Sequence, residues 1–259
     1  MTMQDQRKVL AQYDKAMFLP VHAKYYCNSD FYNYGYWAGG AADQGEASRA
    51  LVHQLLSFLP DKSGTILDVA CGMGASTREL ISVYDPSNVT AINLSDVQLE
   101  RASQNAPGAR FLKMDAVKLD FDEDTFDNVI CVESAHHFIT RDDFYREALR
   151  VLKPGGRLVT SDIGGPARVW KSNHFDGQAG LRRKLEGAGF SNVQVQEVTD
   201  VTWKGFVRNL RRWPAQARKR GELDPKEYAY ARLMAWLYPP VIGLGVKEYF
   251  LTAAQKPGL

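Results

Sequence analysis

The sequence has few cysteines and almost no net charge. Three cysteines, Cys27, Cys71 and Cys131, cannot pair completely, and the last two stand in a glycine turn and in an apolar stretch. We interpret all three as reduced thiols, which favours a cytoplasmic protein over a disulfide-linked one. The formal net charge is +2 over 259 residues. Because binding to nucleic acid depends on concentrated positive charge, no nucleic-acid partner is expected.

Long apolar runs are also missing. No stretch approaches the roughly 18 apolar residues that a membrane-spanning helix requires. The first eight residues are polar and lack the apolar stretch of a signal peptide. With 45% apolar and 24% charged residues, the composition is that of an ordinary globular chain. These features predict a soluble protein without a membrane partner.

From about residue 63 onward, short apolar runs alternate with helical stretches. Helices are predicted at 75–84, 96–106, 141–152 and 177–187. Strands are predicted at 65–70, 88–94, 110–114, 126–132, 157–162, 192–200 and 248–254. Apolar strands that alternate with helices are typical of a parallel sheet covered on both faces. The sequence therefore predicts an α/β fold with a doubly wound, mostly parallel seven-stranded sheet.

Two regions fall outside this alternation. Residues 1–62 are helical and aromatic, and residues 203–244 form an insertion before the last strand. Ligands of open α/β sheets bind beyond the carboxyl ends of the strands. We therefore expect the two regions to cap that edge of a core formed by residues 63–202 and 245–259.

A glycine turn, Gly72-Met73-Gly74, follows the first predicted strand. Glycine lets the backbone turn tightly and approach a ligand closely, and several nucleotide cofactors use such turns. Asp68 beside the turn would repel a pyrophosphate at the helix N-terminus, and Thr77 stands where a dinucleotide fingerprint has its third glycine. A ligand with a positive ammonium and sulfonium, such as S-adenosylmethionine, fits better than a nicotinamide dinucleotide, which remains a weaker alternative.

Four motifs carry a resemblance to a known family. In order, they are ILDVACGMG at 66–74, FDNVI at 126–130, ESAHHF at 133–138 and LRVLKPGGRL at 149–158. They resemble the class I S-adenosylmethionine-dependent methyltransferases, in the branch of the ubiquinone/menaquinone and the natural-product and sugar O-methyltransferases. The resemblance implies a Rossmann-like methyltransferase fold and S-adenosylmethionine as cofactor.

The resemblance also implies roles for individual residues. Gly72, Gly74 and the Ala70 backbone are expected to line the methionine and ribose. The family usually has an acidic residue for the ribose hydroxyls where this chain has Asn93, and an amide lacks the charge-assisted strength of a carboxylate. Gln98 is expected to reach the same ribose. The predicted cofactor contacts are Tyr34, Asp68, Ala70, Gly72, Gly74, Asn93, Leu94, Gln98, Asp115, Ala116 and Glu133.

Within this set, Asp115 matches the residue that accepts a hydrogen bond from the adenine amino group, and Ala116 supplies a backbone contact to the ring. Asp68 and Glu133 are candidates for the sulfonium or amino end. An equally supported alternative for Glu133 is that it only accepts hydrogen bonds from backbone N–H groups. Tyr34 belongs to an aromatic group, 31–37, which either closes over the sulfonium by cation–π contact, worth about 0.5–2 kcal/mol, or packs as a core cluster.

Candidate catalytic residues follow two adjacent strands. His136 and His137 come just after the fourth strand, and Asp162 ends the fifth. A histidine is the natural base at neutral pH, and a carboxylate can hold its tautomer. Similar sugar O-methyltransferases pair a His and an Asp at these places. We favour His136 over His137, although a histidine here can also serve only for packing, and no metal site is expected.

The predicted activity is methyl transfer from S-adenosylmethionine to a small molecule, with the oxygen of a secondary metabolite or sugar as first choice. N- or C-methylation without a base is the alternative. The basic stretch 208–220 either meets an anionic acceptor or is a solvated helix face. Homo-oligomerisation is left open.

Overall fold

A computed structural model describes residues 3–258, with the side chains of residue 8 and residues 10–258. The strands are Ile66–Val69 (β1), Val89–Asn93 (β2), Arg110–Lys113 (β3), Phe126–Val132 (β4), Leu152–Gly164 (β5), Ser191–Glu197 (β6) and Glu248–Gln255 (β7). The helices are Met3–Met17 (α1), Pro20–Tyr25 (α2), Gln44–Leu56 (α3), Ala75–Leu80 (α4), Asp96–Asn105 (α5), Arg141–Val151 (α6), Ala167–Trp170 (α7), Gly177–Gly187 (α8), Trp203–Lys219 (α9) and Pro225–Ile242 (α10).

The strands form one sheet in the order β3-β2-β1-β4-β5-β7-β6. Only β7 runs antiparallel to its neighbours, β5 and β6, among the strands of the described range. Helices cover both faces. The predicted α/β fold, with a doubly wound and mostly parallel seven-stranded sheet, is confirmed.

The largest difference from the predicted elements concerns β5, which begins at Leu152 and not at residue 157. Helix α6 passes directly into extended backbone, and Leu152 pairs with Phe126 across a register shift before regular pairing resumes at Arg157. Pro154 and Gly155 fit this irregular stretch of strand, because the missing N–H of the proline removes no regular ladder bond.

Alternate residues of the central strands bury opposite faces of the sheet, as strand geometry requires. In β4, Ile130 packs in the same cluster as Leu55 of α3, whereas Val129 packs with Phe144 of α6. All four side chains are fully buried. Two apolar layers therefore hold the sheet rigid and orient the ends of its strands.

The parallel strands end at one edge, where the predicted site residues follow them. In β1, Val69 pairs with Ile92 of β2 and with Cys131 of β4, and Val132 pairs with Ser161 of β5. The residues just beyond these positions therefore lie beside one another, which is the usual place for a ligand in this class of sheet.

The two regions outside the core contact each other over this edge. The ring of Tyr25 in α2 packs edge-on against Phe206 and Trp213 of α9, with centroids 5.8 and 5.2 Å away. Lys24 of α2 forms a 2.6 Å ion pair with Glu227 of α10. The buried apolar side of α9 faces inward, and the basic side chains of the stretch 208–220 lie on its solvent side. Within residues 3–258, no helix is long and apolar enough to cross a bilayer.

Candidate active site

A cavity of about 190 Å³ lies at the carboxyl edge of the sheet, beneath α1 and the chain segment 30–34. Most of the predicted site residues line it. These are Tyr34, Ala70, Gly72, Asn93, Leu94, Gln98, Asp115, Ala116, Glu133, His136 and His137. Asp68, Gly74 and Asp162 do not line the cavity. Each is next to a residue that does: Asp68 accepts a hydrogen bond from Ser76, Gly74 precedes Ala75, and Asp162 faces His136.

The cavity wall is acidic. Asp30, Asp115 and Glu133 contribute carboxyl groups, although Arg101 pairs with Asp30 at 2.8 Å and burial raises the pKa of Glu133, which favours its neutral form. None of the described residues of the wall is a lysine or an arginine. Such a surface suits a ligand with an ammonium and a sulfonium, and it disfavours a pyrophosphate.

The two glycines of the turn have different roles. Gly72, with φ +56°, faces the cavity: a Cβ there would lie 3.5 Å from Met17 Cε and 4.0 Å from the Gln98 side chain. Gly74, with φ +81°, packs against α5, where a Cβ would lie 2.7 Å from the Cα atom of Ala102. Gly74 does not line the cavity, and its lack of a side chain permits the close packing of the turn against α5.

Asp68 also differs from its expected role. Its Oδ2 accepts hydrogen bonds from the hydroxyls of Ser76 and Thr77, both at 2.8 Å. These contacts turn the carboxylate onto the start of α4, so Asp68 does not line the cavity. Burial raises the pKa of the carboxyl to about 6, although both hydroxyls act in the opposite direction. The buried Oδ1 has no partner among the described residues, which leaves one acceptor atom behind the glycine turn.

The side-chain amide of Asn93 forms hydrogen bonds with residues that follow β2 in the chain. Its Oδ1 accepts from the Leu94 N–H at 2.7 Å, and its Nδ2 donates to Gln98 Oε1 at 2.8 Å. The Gln98 Nε2 in turn donates to Asp14 Oδ1 at 2.6 Å, which also accepts from the Ser95 hydroxyl at 2.7 Å. A carboxylate is therefore present at the predicted ribose end, but α1 supplies it and β2 does not.

Asp115 follows β3 and belongs to a short turn. Its Oδ1 accepts from the Val117 N–H at 3.2 Å, which orients the side chain at the cavity wall. Ala116 beside it is buried and lines the same wall. This arrangement leaves the second carboxylate oxygen available for a donor such as an exocyclic amine.

Glu133 lies directly after β4, in left-handed conformation with φ +49°. Its Oε1 accepts from the Tyr34 N–H at 2.8 Å and from the Tyr249 hydroxyl. Burial raises the pKa of Glu133 to about 8, although these two donors lower it. Both roles considered for Glu133 are therefore compatible with the structure, because it accepts a hydrogen bond from a backbone N–H and it also lines the cavity.

His136 and Asp162 form a buried pair. The His136 Nδ1 lies 3.0 Å from Asp162 Oδ1, and Asp162 also binds the Arg141 guanidinium, at 2.7 and 3.1 Å. Burial alone would raise the pKa of Asp162, but Arg141 and His136 hold it well below its ordinary value. Burial lowers the pKa of His136 despite the carboxylate. The imidazole is therefore neutral at pH 7, its Nδ1–H donates to the Asp162 carboxylate, and the Nε2 lone pair is free.

His137 is placed differently. Its Nε2 lies 2.7 Å from the hydroxyl of Tyr13 in α1. Burial and the adjacent His136 lower its pKa far below the ordinary value. Because the Tyr13 hydroxyl engages the Nε2 atom, His137 is less suited than His136 to accept a proton from a ligand.

Several residues at the site carry no recognisable signal in the sequence. Tyr13, Asp14 and Met17 reach the cavity region from α1 because they share one face of that helix. Arg141 is fully buried, and the Asn173 side chain fixes its backbone N–H at 2.8 Å. A charged residue at the start of a helix is ordinarily exposed, so nothing in the sequence marks Arg141 as a partner of Asp162.

These residues fit S-adenosylmethionine. Gly72 has no side chain that would occupy the cavity, and the wall carries carboxyl groups and no described basic side chain. Asp115 and Ala116 suit the adenine, and the Asn93–Gln98–Asp14 network suits the ribose. No cluster of metal-ligating side chains occurs in the described part of the chain.

The chain is similar to known proteins. Residues 67–160 match a family model described as a methyltransferase domain. The 27-O-demethylrifamycin SV methyltransferase of Amycolatopsis mediterranei is 29% identical, over 87% of this chain and 89% of that protein. The erythromycin 3''-O-methyltransferase of Saccharopolyspora erythraea is 30% identical, over 66% of this chain and 65% of that protein.

Solved structures agree on the fold. The [4+2]-cyclase SpnF superposes with a TM-score of 0.73 at 23% identity, covering 98% of this chain and 97% of that one. A geranyl diphosphate methyltransferase in complex with sinefungin gives 0.70 at 20% identity, over 97% and 99%.

The ordered motifs, the acidic cavity at the sheet edge and these relatives lead to one conclusion. The cofactor is S-adenosylmethionine, and a nicotinamide cofactor finds no support. The chain carries a methyltransferase domain and is an S-adenosylmethionine-dependent methyltransferase, and its fold resembles that of solved methyltransferases.

Proposed function

We propose that the enzyme methylates a hydroxyl group of a small natural product, with His136 as the general base. The observation that carries this proposal is the buried His136–Asp162–Arg141 arrangement, in which His136 Nδ1 faces a carboxylate at 3.0 Å and the ring lines the cofactor cavity. A histidine held in this way presents a neutral Nε2 as acceptor, which is the state that a base requires.

In this mechanism, bound S-adenosylmethionine supplies an electrophilic methyl group. The acidic wall and the glycine turn hold the cofactor, and the caps position the acceptor hydroxyl and exclude water. His136 Nε2 takes the hydroxyl proton as the oxygen becomes nucleophilic, and Asp162 stabilises the imidazolium. A positioned base of this kind accelerates a reaction by about 10²–10⁴-fold.

The names of two relatives support oxygen as the accepting atom. The rifamycin and erythromycin enzymes are both O-methyltransferases of natural products. A second candidate is C-methylation without a base. It is supported by the aromatic wall of the cavity, with Tyr26, Tyr32, Tyr34 and Tyr238, and by sterol 24-C-methyltransferases of yeasts among the relatives.

The test compares wild type with His136→Gln on a panel of lipophilic alcohols, phenols and glycosides, following product mass and S-adenosylhomocysteine formation. O-methylation that is lost in the variant supports the proposal. Methylation on carbon, or O-methylation at an unchanged rate in the variant, overturns it.

We propose the same division of the chain as the sequence predicts. Residues 63–202 and 245–259 form the cofactor-binding core, and residues 1–62 and 203–244 act as caps. Limited proteolysis tests this division, because bound acceptor should protect cap bonds and leave core bonds unchanged.

We also propose a cytoplasmic homo-oligomer without a nucleic-acid partner. The free thiols of all three cysteines support the cytoplasmic setting. An exposed apolar stripe on α10, formed by Leu233, Trp236, Leu237 and Val241, supports self-association. Sedimentation of Trp236→Glu beside wild type tests it: an unchanged mass argues against this interface.

A further inference from the structure

A second cavity, of about 330 Å³, lies between α1, α2, α9 and α10. It shares three lining residues, Tyr26, Tyr32 and Tyr238, with the cofactor cavity. The two cavities therefore meet at a common wall of tyrosine side chains, which we call the tyrosine wall. Helix α1 borders both, since Tyr13 faces the first cavity and Ala16 the second.

The lining of the second cavity differs from that of the first. It is formed mainly by apolar and aromatic side chains, including Leu19, Leu210, Trp213 and Met234. Lys15, which is exposed, is the one charged residue among its described lining residues, and no carboxyl group is present. The other polar groups of the lining include the hydroxyls of five tyrosines, the His22 ring and the Gln12 amide, so a polar, many-hydroxyl ligand would recover only part of the hydrogen bonds that it loses to water. An apolar ligand would gain by leaving water.

Besides the hydroxyls of its tyrosines and the Gln12 amide, the lining of the cavity contains one buried polar atom without a partner. The His22 Nδ1 is buried and has no hydrogen-bond partner among the described residues. Burial lowers the pKa of His22, although the Ala16 carbonyl acts in the opposite direction. A neutral imidazole nitrogen either donates or accepts, depending on the tautomer. One carbonyl or hydroxyl on an otherwise apolar ligand would therefore find a partner in this cavity.

We propose that the second cavity holds the apolar ring body of the methyl acceptor. The acceptor is then a lipophilic alcohol or phenol with at most a few polar groups, and not a free sugar. Its reacting hydroxyl passes the tyrosine wall into the first cavity, where His136 lies. This inference rests on the proposed methyl transfer, and it adds the chemical class of the acceptor.

The test uses N-phenyl-1-naphthylamine, a neutral apolar fluorophore, titrated into the protein with saturating S-adenosylhomocysteine. Ala231 lines the cavity and is 4% exposed, so Ala231→Trp fills the space. Ala229 lies on the solvent side of the same helix, and Ala229→Trp is the matched control. We expect at least tenfold weaker binding for A231W and unchanged binding for A229W.

Two further variants keep the test decisive. If A231W fails to fold, Met234→Trp fills the same cavity from a half-buried position, with the same expected loss. Trp236→Gln removes the most exposed large apolar side chain of α10, at 73% exposure, and should leave probe binding unchanged. Probe binding that is lost in W236Q but kept in the cavity-filling variants overturns the proposal, as does no binding at all.

The failure of this inference is distinguishable from failure of the proposed function. Calorimetric titration with S-adenosylhomocysteine of the same protein preparations, taken before probe or S-adenosylhomocysteine is added, reports the cofactor site independently of the probe. His136→Gln should leave probe binding unchanged while it abolishes methylation. Probe binding that fails in a protein that binds the cofactor overturns only the acceptor class.

Discussion

The Nδ1 atom of His136 lies 3.0 Å from the Oδ1 atom of Asp162, and both side chains are buried at the carboxyl edge of the sheet. The two residues are distant in the chain, and the pairing of β4 with β5 brings them together in space. The pair defines the protonation state of His136, because the Nδ1 proton is committed to the carboxylate. The free Nε2 then determines which reaction the site can support.

Replacing His136 with Gln should lower the turnover number by about 10²–10⁴-fold, the range for loss of a general base. Binding of S-adenosylhomocysteine should change by less than about twofold, because the cofactor contacts do not depend on the base. Steady-state kinetics and calorimetry measure the two quantities. His137→Gln is the matched control and should retain most of the activity, since Tyr13 already engages that ring. A larger loss in the His137 variant would reverse the assignment.

Replacing Arg141 with Met should destabilise the fold by about 3–5 kcal/mol, since it leaves Asp162 as an unpaired buried charge. Urea unfolding measures the effect. The exposed pair of Arg146 and Asp143 on α6 offers a control, and Arg146→Met should cost less than about 1 kcal/mol. Equal effects for the two variants would show that the buried pair is not important for stability.

The Arg141 variant also has a pH signature. The pKa of Asp162 is lowered in the folded protein, so its contribution to stability is present above the unfolded value of about 3.9 and is lost as pH falls toward the folded value. In Arg141→Met, the carboxyl loses its main charge partner. The stability gap to wild type should therefore narrow as the pH is lowered from about 5 toward about 2. A constant gap would argue against a charge effect.

The contribution of Glu133 to stability should follow the opposite pH trend. Its pKa is raised from 4.5 to about 8, so its contribution to stability is present below about 4.5 and is lost as pH rises through 8. Glu133→Gln keeps an acceptor for the Tyr34 N–H and removes the titration. Between pH 5 and 8, its stability should rise relative to wild type by about 1–3 kcal/mol. Parallel stability curves in urea unfolding would contradict this.

The two glycines of the turn should respond differently to alanine. Gly74→Ala should destabilise the protein by about 1–3 kcal/mol, because the added Cβ meets the backbone of Ala102 in a left-handed conformation. Gly72→Ala adds a Cβ with nothing closer than 3.5 Å, so it should cost less stability and mainly weaken cofactor binding. Thermal unfolding and calorimetry separate the two effects. The reverse pattern would exchange the roles assigned to the two glycines.

Much of this architecture could be predicted because it depends on local patterns. Apolar strands such as 65–70 and 126–132 alternate with predicted helices along the chain. Because such strands run parallel in the sheet, their carboxyl ends lie at the same edge. That parallel order places the residues after these strands side by side, and the resemblance to the methyltransferases adds the prediction that Ala70, Asn93, Glu133 and His136 share a site. The cavity in the structure has these residues in its wall.

The remaining features depend on contacts between distant parts of the chain. Asp68 faces away from the cavity because two hydroxyls of α4 bind it, and Gly74 faces α5. Asp14 takes part in the network at Asn93 because α1 folds over the glycine turn. No periodicity within α1 or β2 specifies such a pairing, and Arg141 has the appearance of an ordinary surface residue in the sequence.

The most direct test of the central claim is calorimetric titration with S-adenosylhomocysteine of wild type, Asp115→Ala and the exposed neighbour Asp120→Ala. We expect clear binding to wild type, at least about tenfold weaker binding to D115A, equivalent to about 1.4 kcal/mol, and no change in D120A. That result would establish the cofactor and the position of its adenine together. No binding to wild type, or equal affinity in all three proteins, would contradict the account of the site.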